Sequence, residues 1–318
     1  MGDITKRSAA VFAGIALAFA IPAVASDARS VTVITGRPLY TTQAPIAMLK
    51  DLDSGEILFS RGADKRFAPA SMAKVMTAYV VLDLIKKGEL ARDKQFTVSE
   101  ATWKKWKGGN GGSTMFLRPG EKVSVDDLLK GLITVSGNDA AAALAVGIDG
   151  SEATFIKRMN AVAAHIGMKS SNFGTPNGWP DGGVTKVSAS DLITLADRLI
   201  RDHPAGYVRY FSMPKLQHGT SPDGKPIIQA NRNPILGRVL GADGLKTGHT
   251  SEAGYCLLGS AKRDGRRLIM VVAGLPSEKA RREEAERLMN WGFTVPMAAS
   301  NSGKSKKAAS GSGRAAPW

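Results

Sequence analysis

Ser71 and Lys74, three residues apart in Phe67-Ala68-Pro69-Ala70-Ser71-Met72-Ala73-Lys74, are of types suited to covalent catalysis. A serine hydroxyl is a weak nucleophile and needs a neighbouring base. Positions i and i+3 share one face of a helix, so Lys74 reaches the Ser71 hydroxyl from the next turn. Lysine serves as a base only where burial or nearby positive charge keeps it partly neutral. A helix opening at Ser71 also directs free N–H groups toward a developing oxyanion. Serine and lysine are common residues, so the pair carries little weight alone. Ser212-Met213-Pro214-Lys215 repeats the spacing, but Pro214 disfavours a continuous helix there. Two further motifs follow: Ser136-Gly137-Asn138, with Ser170-Ser171-Asn172 as a decoy, and Lys246-Thr247-Gly248, which occurs once.

The surrounding pattern supplies elements to hold these motifs. Ile46–Asp51 and Glu56–Ser60 read as two strands around the turn-forming Asp53-Ser54-Gly55. A helix is expected from about Ser71 to Lys87, with Met72, Val75, Met76, Tyr79, Leu82 and Ile85 on its apolar face and Gly88 as its stop. Asp126–Val135 and Asp139–Val146 read as helices joined by the second motif, where Asn138 also suits an N-cap. Ser151–Ile166 and Ser188–Arg201 are two further amphipathic helices. Ala253–Lys262 and Arg267–Ala273 flank Asp264-Gly265, a strong hairpin signal, and Ser277 caps a helix over Glu278–Trp291. The third motif is expected at the beginning of a strand. Hairpin, helical block, strands and helix in that order make an α+β fold, its sheet built from both chain ends.

S-x-x-K, S-x-N and K-T-G in this order form the serine acyl-transfer set shared by penicillin-binding proteins and β-lactamases. From about Ala44 to Phe293 the chain resembles the low-molecular-mass penicillin-binding proteins, the serine D-alanyl-D-alanine carboxypeptidases of peptidase family S11. The likeness extends to Met115-Phe116-Leu117-Arg118-Pro119-Gly120, Asn231-Arg232-Asn233, Asp243-Gly244-Leu245-Lys246-Thr247-Gly248-His249-Thr250 and Asn290-Trp291-Gly292-Phe293. It implies a β-lactamase/D,D-peptidase-like fold: a five-stranded antiparallel sheet flanked by helices, with a mostly helical subdomain and the site at their junction. It further implies Ser71 as acylated nucleophile, Lys74 as general base and Ser136 as proton relay to the leaving amine. Asn138 would hold the substrate amide. Lys246, Thr247 and Gly248 would meet the terminal carboxylate, with Arg232 and Arg281 nearby. The backbone N–H groups of Ser71 and His249 would form the oxyanion hole. The implied partners are peptidoglycan stem peptides, with β-lactam antibiotics as covalent inhibitors.

Bulk properties fit an exported protein. Lys6 and Arg7 precede the uncharged stretch Ser8–Ala20, and Ala23-Val24-Ala25 forms an A-x-A site, so residues 1–25 read as a signal peptide. Residues 26–43 are a connecting segment, 44–293 the catalytic domain, and 294–318 a basic Ala/Ser/Gly/Lys tail expected to be disordered. The protein is expected to be periplasmic or otherwise extracytoplasmic. The formal charge of +15 favours anionic partners, and export makes nucleic acid the least suitable of them. The tail reads as plain flexible chain, with weak adhesion of Lys304, Lys306, Lys307 and Arg314 to a membrane surface or wall polymer as the alternative. Lone Cys256 suits a core position, and the four histidines lack metal-binding spacing, so neither cofactor nor metal is expected. The rival readings are a cross-link-cleaving D,D-endopeptidase, a β-lactamase and a non-catalytic wall-binding protein. Against a β-lactamase, the only glutamate between Asp139 and Leu245 is Glu152, placed within a helix.

Overall fold

The computed structural model describes residues 38–108 and 112–296. The expected signal peptide and nearly all of the expected tail lie outside the described residues. In chain order the elements are β1 (Ile46–Asp51), β2 (Ile57–Arg61), a 3₁₀ turn (Ala70–Ala73), α1 (Lys74–Lys86), β3 (Gln95–Thr97), α2 (Glu100–Trp106) and β4 (Lys122–Ser124). There follow α3 (Val125–Thr134), α4 (Asn138–Asp149), α5 (Glu152–His165), α6 (Ala189–Asp202), α7 (Pro204–Phe211), β5 (Lys215–Thr220) and β6 (Pro226–Ala230). The chain closes through β7 (Ala242–Thr250), β8 (Gly254–Arg263), β9 (Arg266–Leu275) and α8 (Glu278–Thr294).

Local chemistry sets many of these boundaries. Helices α2, α3, α5, α6 and α8 each start behind a serine, Ser99, Ser124, Ser151, Ser188 or Ser277. In each case its hydroxyl accepts a backbone N–H of the first turn. Asp264 and Gly265 both take positive φ, at 47° and 85°, as the tight turn joining β8 to β9 requires.

The main sheet has the order β2-β1-β9-β8-β7, with antiparallel pairing throughout. Alternation along the strands divides its side chains between two cores. Met48, Leu258, Ile269 and Val271 face the core that holds α1, α3 and α6. Leu49, Leu257, Leu268 and Met270 face the core that α8 closes with Ala285, Leu288 and Met289. α1 is buried on nearly all sides and forms the axis of the helical block.

The structure corrects several expectations. Ser71 belongs to a 3₁₀ turn, and α1 begins at Lys74. Positions i and i+3 eclipse in a 3₁₀ turn, so the pair still meets. Gly137 occupies the N-cap of α4, and the Asn138 side chain points to Lys74 instead. The third motif sits within a long strand, not at its beginning. Two residues flanking 44–293 also pack against it. Tyr40 packs on Phe59 and Trp291, and Val295 is buried. The patterning missed α2, α7 and the β3–β4 and β5–β6 pairs, which are all short.

No helix among the described residues is long and apolar enough to cross a membrane. One buried ion pair ties the sheet to the chain's end. Arg266 donates to Asp51 at 2.6 Å and to the Val295 carbonyl at 2.7 Å, and both side chains are almost wholly buried. Removing one member leaves an uncompensated buried charge. Asp51→Ala is therefore expected to lose about 3–5 kcal/mol of stability, read as a lower urea midpoint.

Candidate active site

The turn preceding α1 places Ser71, partly exposed, at the floor of a cleft of about 620 Å³ between the helical block and β7. Ser71, Ser136, Asn138, Arg232, Thr247, Gly248, His249 and Arg281 all line this cleft. Lys74 and Lys246 lie buried beneath it. Residues distant in sequence thus converge on one site.

Lys74 Nζ lies within hydrogen-bond distance of three oxygens: Ser71 Oγ at 2.9 Å, Asn138 Oδ1 at 2.8 Å and the Asn177 carbonyl at 2.9 Å. Burial holds its pKa well below the usual lysine value, helped by the positive charges of Lys246 and Arg232 and opposed by Asp139. The neutral amine has two N–H donors and one lone pair. Two of the three oxygens are amide carbonyls, which only accept, so both N–H groups go to them. The lone pair is then left facing the Ser71 hydroxyl, as general-base action requires.

Two close approaches fix the turn that carries Ser71. Ala70 takes φ +48°, an uncommon state for a residue with a side chain. A Cβ on Gly178 would fall 1.9 Å from the Ala70 carbonyl oxygen, and one on Gly248 would fall 2.6 Å from that of Pro69. Glycine at these positions lets β7 and the 177–179 segment close on the turn from both sides. Thr77 Oγ1 anchors that segment further by donating to the Pro176 carbonyl at 2.5 Å.

Ser136 lies in the connector between α3 and α4 at φ +63°. Its hydroxyl is buried and has no hydrogen-bond partner among the described residues. Asp139, the second residue of α4, accepts from the N–H groups of Met115, Leu117 and Ala140, which pins the α4 entry to the 113–117 segment. Asn138 N–H donates to the Ser113 carbonyl at 2.7 Å.

The opposite wall is cationic. Burial, then the charges of Arg232 and Arg281, lowers the Lys246 pKa to about 7. Arg232 donates to Ser113 Oγ at 2.7 Å, and its flanking Asn231 is held through the Met213 carbonyl. Arg281 is buried, its Nε lacks a hydrogen-bond partner among the described residues, and its nearest acid, Glu278, stands 4.0 Å away. His249 is exposed and stacks on Tyr255, with ring centroids 3.9 Å apart. β7 is an edge strand of the sheet, so alternate backbone groups along it face away from β8. The arrangement combines an activated hydroxyl with a cationic wall suited to a carboxylate.

Sequence reasoning missed Ser113, Asn177, Gly178 and Trp179, all of which line the cleft. The dipeptide Asn177-Gly178 is a legible turn signal, but nothing local reveals that its carbonyl receives Lys74. Residues 109–111, next to Gly112 in the cleft lining, lie outside the described residues. Glu152 pairs with Lys105 and does not line the cleft.

The sequence matches the D-alanyl-D-alanine carboxypeptidase family, Peptidase S11, over residues 32–277. It is 40% identical over 264 residues to the D-alanyl-D-alanine carboxypeptidase DacA of Haemophilus influenzae, covering 80% of this chain and 63% of that protein. The chain thus spans less than two thirds of that relative's length. Penicillin-binding protein 5 from Haemophilus influenzae aligns in structure with a TM-score of 0.75 at 39% identity, over 81% of this chain and 73% of that one. Penicillin-binding protein D2 from Listeria monocytogenes, in its ampicillin-bound form, gives a TM-score of 0.70 at 33% identity, over 81% of this chain and 100% of that one.

Because Arg232 disfavours the charged form of both buried lysines, Arg232→Gln is expected to raise the midpoints of both. NMR titration of ¹⁵N-labelled lysine side chains would show Lys246 moving upward from about 7.

Proposed function

This chain belongs to the D-alanyl-D-alanine carboxypeptidase family, Peptidase S11, and we propose that it removes the terminal D-alanine from peptidoglycan stem pentapeptides. The observation that carries the reading is the buried Lys74 amine, its pKa held down by burial, 2.9 Å from Ser71 Oγ.

In this mechanism neutral Lys74 takes the Ser71 proton as Oγ attacks the carbonyl carbon of the penultimate D-alanine. The carbonyl oxygen gains negative charge, which the N–H groups of Ser71 and His249 stabilise. Lys74 passes its proton through the Ser136 hydroxyl to the departing amine, the C–N bond breaks, and free D-alanine leaves. Water then adds to the ester under the same base and regenerates Ser71. Lys246, the Thr247 hydroxyl, Arg232 and Arg281 hold the terminal carboxylate. Gly248 keeps β7 close, and the Asn138 amide positions the substrate backbone. The unpaired Arg281 Nε and unpartnered Ser136 hydroxyl support these assignments, since buried polar groups normally find partners.

The substrate lies outside the cytoplasm, and the leader read at residues 1–25 supports export to it. A β-lactam, which carries a strained amide and a carboxylate, would acylate Ser71 by the same route. Deacylation would be slow, because among the described residues the one acidic side chain lining the cleft, Glu278, stands at the start of α8 beside the arginines rather than where it could activate water for the ester.

Two results are expected. Incubation with monomeric pentapeptide releases D-alanine, seen by mass spectrometry, and Ser71→Ala abolishes both this and fluorescent-penicillin labelling. Conversion of cross-linked dimers to monomers, with the pentapeptide left intact, would instead establish an endopeptidase. The pH profile gives a second test. Lys74 must be neutral, so kcat/KM rises with pH through its depressed pKa. Lys246 must be charged to meet the carboxylate, so kcat/KM falls as pH passes about 7. Lys246→Arg keeps its charge and is expected to move the alkaline limb upward by more than one pH unit.

A further inference from the structure

A second pocket, of about 150 Å³, opens beside the catalytic cleft, with Trp103, Trp106, Lys107, Phe116 and Arg118 among its walls and Asp139 at its base. Phe116 takes φ +65°, a conformation bulky side chains rarely adopt. Asp139 holds it there by accepting the N–H groups on either side, Met115 at 3.0 Å and Leu117 at 3.1 Å. The result is an aromatic side chain left 53% exposed against the pocket. Nothing in the proposed chemistry uses it.

The pocket also offers polar groups. Trp106 is only 4% exposed, yet its indole Nε1 has no hydrogen-bond partner among the described residues. A buried indole N–H normally finds an acceptor. Lys107 Nζ lies 4.2 Å from the Trp103 ring, and exposed Arg118 donates to the Thr220 carbonyl at 2.6 Å. The Asp139 oxygens are already engaged by backbone donors, so the available charge on this rim is positive. The volume is below that of a drug-sized site and suits a single ring.

We propose that this pocket is a saccharide subsite, holding an N-acetylated amino-sugar ring while Lys107 and Arg118 meet carboxylates of the peptide attached to it. The C–H face of a pyranose packs on the negative face of an aromatic ring, which the exposed Phe116 side chain offers. The inference rests on the wall-substrate reading above. Trp106 meets Trp179 edge-on at 5.4 Å, and Trp179 lines the catalytic cleft. One pair of indoles thus separates the two sites, so a stem peptide in the cleft leads toward the pocket.

The test uses muramyl dipeptide, which carries the sugar but no D-alanyl-D-alanine and is therefore not turned over. Titration of the full chain is expected to give a saturable change in tryptophan fluorescence that the sugar-free dipeptide does not produce. Phe116→Gly removes the ring while relieving its backbone, and is expected to weaken this binding at least fivefold. The same variant should raise KM for a disaccharide pentapeptide at least fivefold and leave kcat and sugar-free pentapeptide turnover in place. Lys107→Glu should also weaken muramyl dipeptide binding. No saturable signal, an equal response to the sugar-free dipeptide, or unchanged affinity in Phe116→Gly would overturn the subsite. A failure of D-alanine release with muramyl dipeptide binding intact would count against the catalytic reading alone.

Discussion

The organisation of this protein depends on burying one lysine amine without stranding it. Taking an ammonium out of water costs several kcal/mol, and the group either finds partners or gives up its proton. Lys74 does some of each. Its three oxygen partners come from three places: the turn before α1, the first residue of α4 and the 177–179 segment. Each must reach within hydrogen-bond distance of one nitrogen. The packing of α1 at the axis of the helical block and the entry of α4 beside it both serve that convergence.

Charge acts on the same nitrogen from farther away. Lys246 and Arg232 disfavour its protonated form, and Arg232 and Arg281 act likewise on Lys246. Cations placed this close repel one another, which costs stability in the empty cleft. A bound carboxylate would relieve that repulsion, so anion binding at this wall would be linked electrostatically to the state of the Lys74 amine.

Backbone strain gathers at the same place. The described non-glycine residues at positive φ are Ala70, Phe116, Ser136 and Asp264. Asp264 belongs to a hairpin turn that calls for it. The other three border the cleft or the pocket beside it, where the fold over-determines unfavourable conformations. Ala70 is trapped between Gly178 and Gly248, and Phe116 between two N–H groups held by Asp139.

Much of this was legible in the residues. Serine caps and apolar periodicity marked α5, α6 and α8, Asp264-Gly265 marked the β8–β9 hairpin, and the three motifs picked out Ser71, Lys74 and the lysine of the cationic wall, which the fold brings to one cleft. These are local signals, because capping, turn geometry and side-chain chemistry are written within a few positions. The 3₁₀ form of the Ser71 turn was not legible, since i and i+3 meet in either helix type. Nor were Asn177 as a lysine partner, the burial of Arg281, or the pairing of Trp106 with Trp179. Each of these depends on what a distant segment brings to the spot. The sequence by itself determined which groups could do the chemistry. Only the tertiary structure decided the state of those groups, because burial, neighbouring charge and the close approach of backbones are set by the packing of segments far apart in the chain.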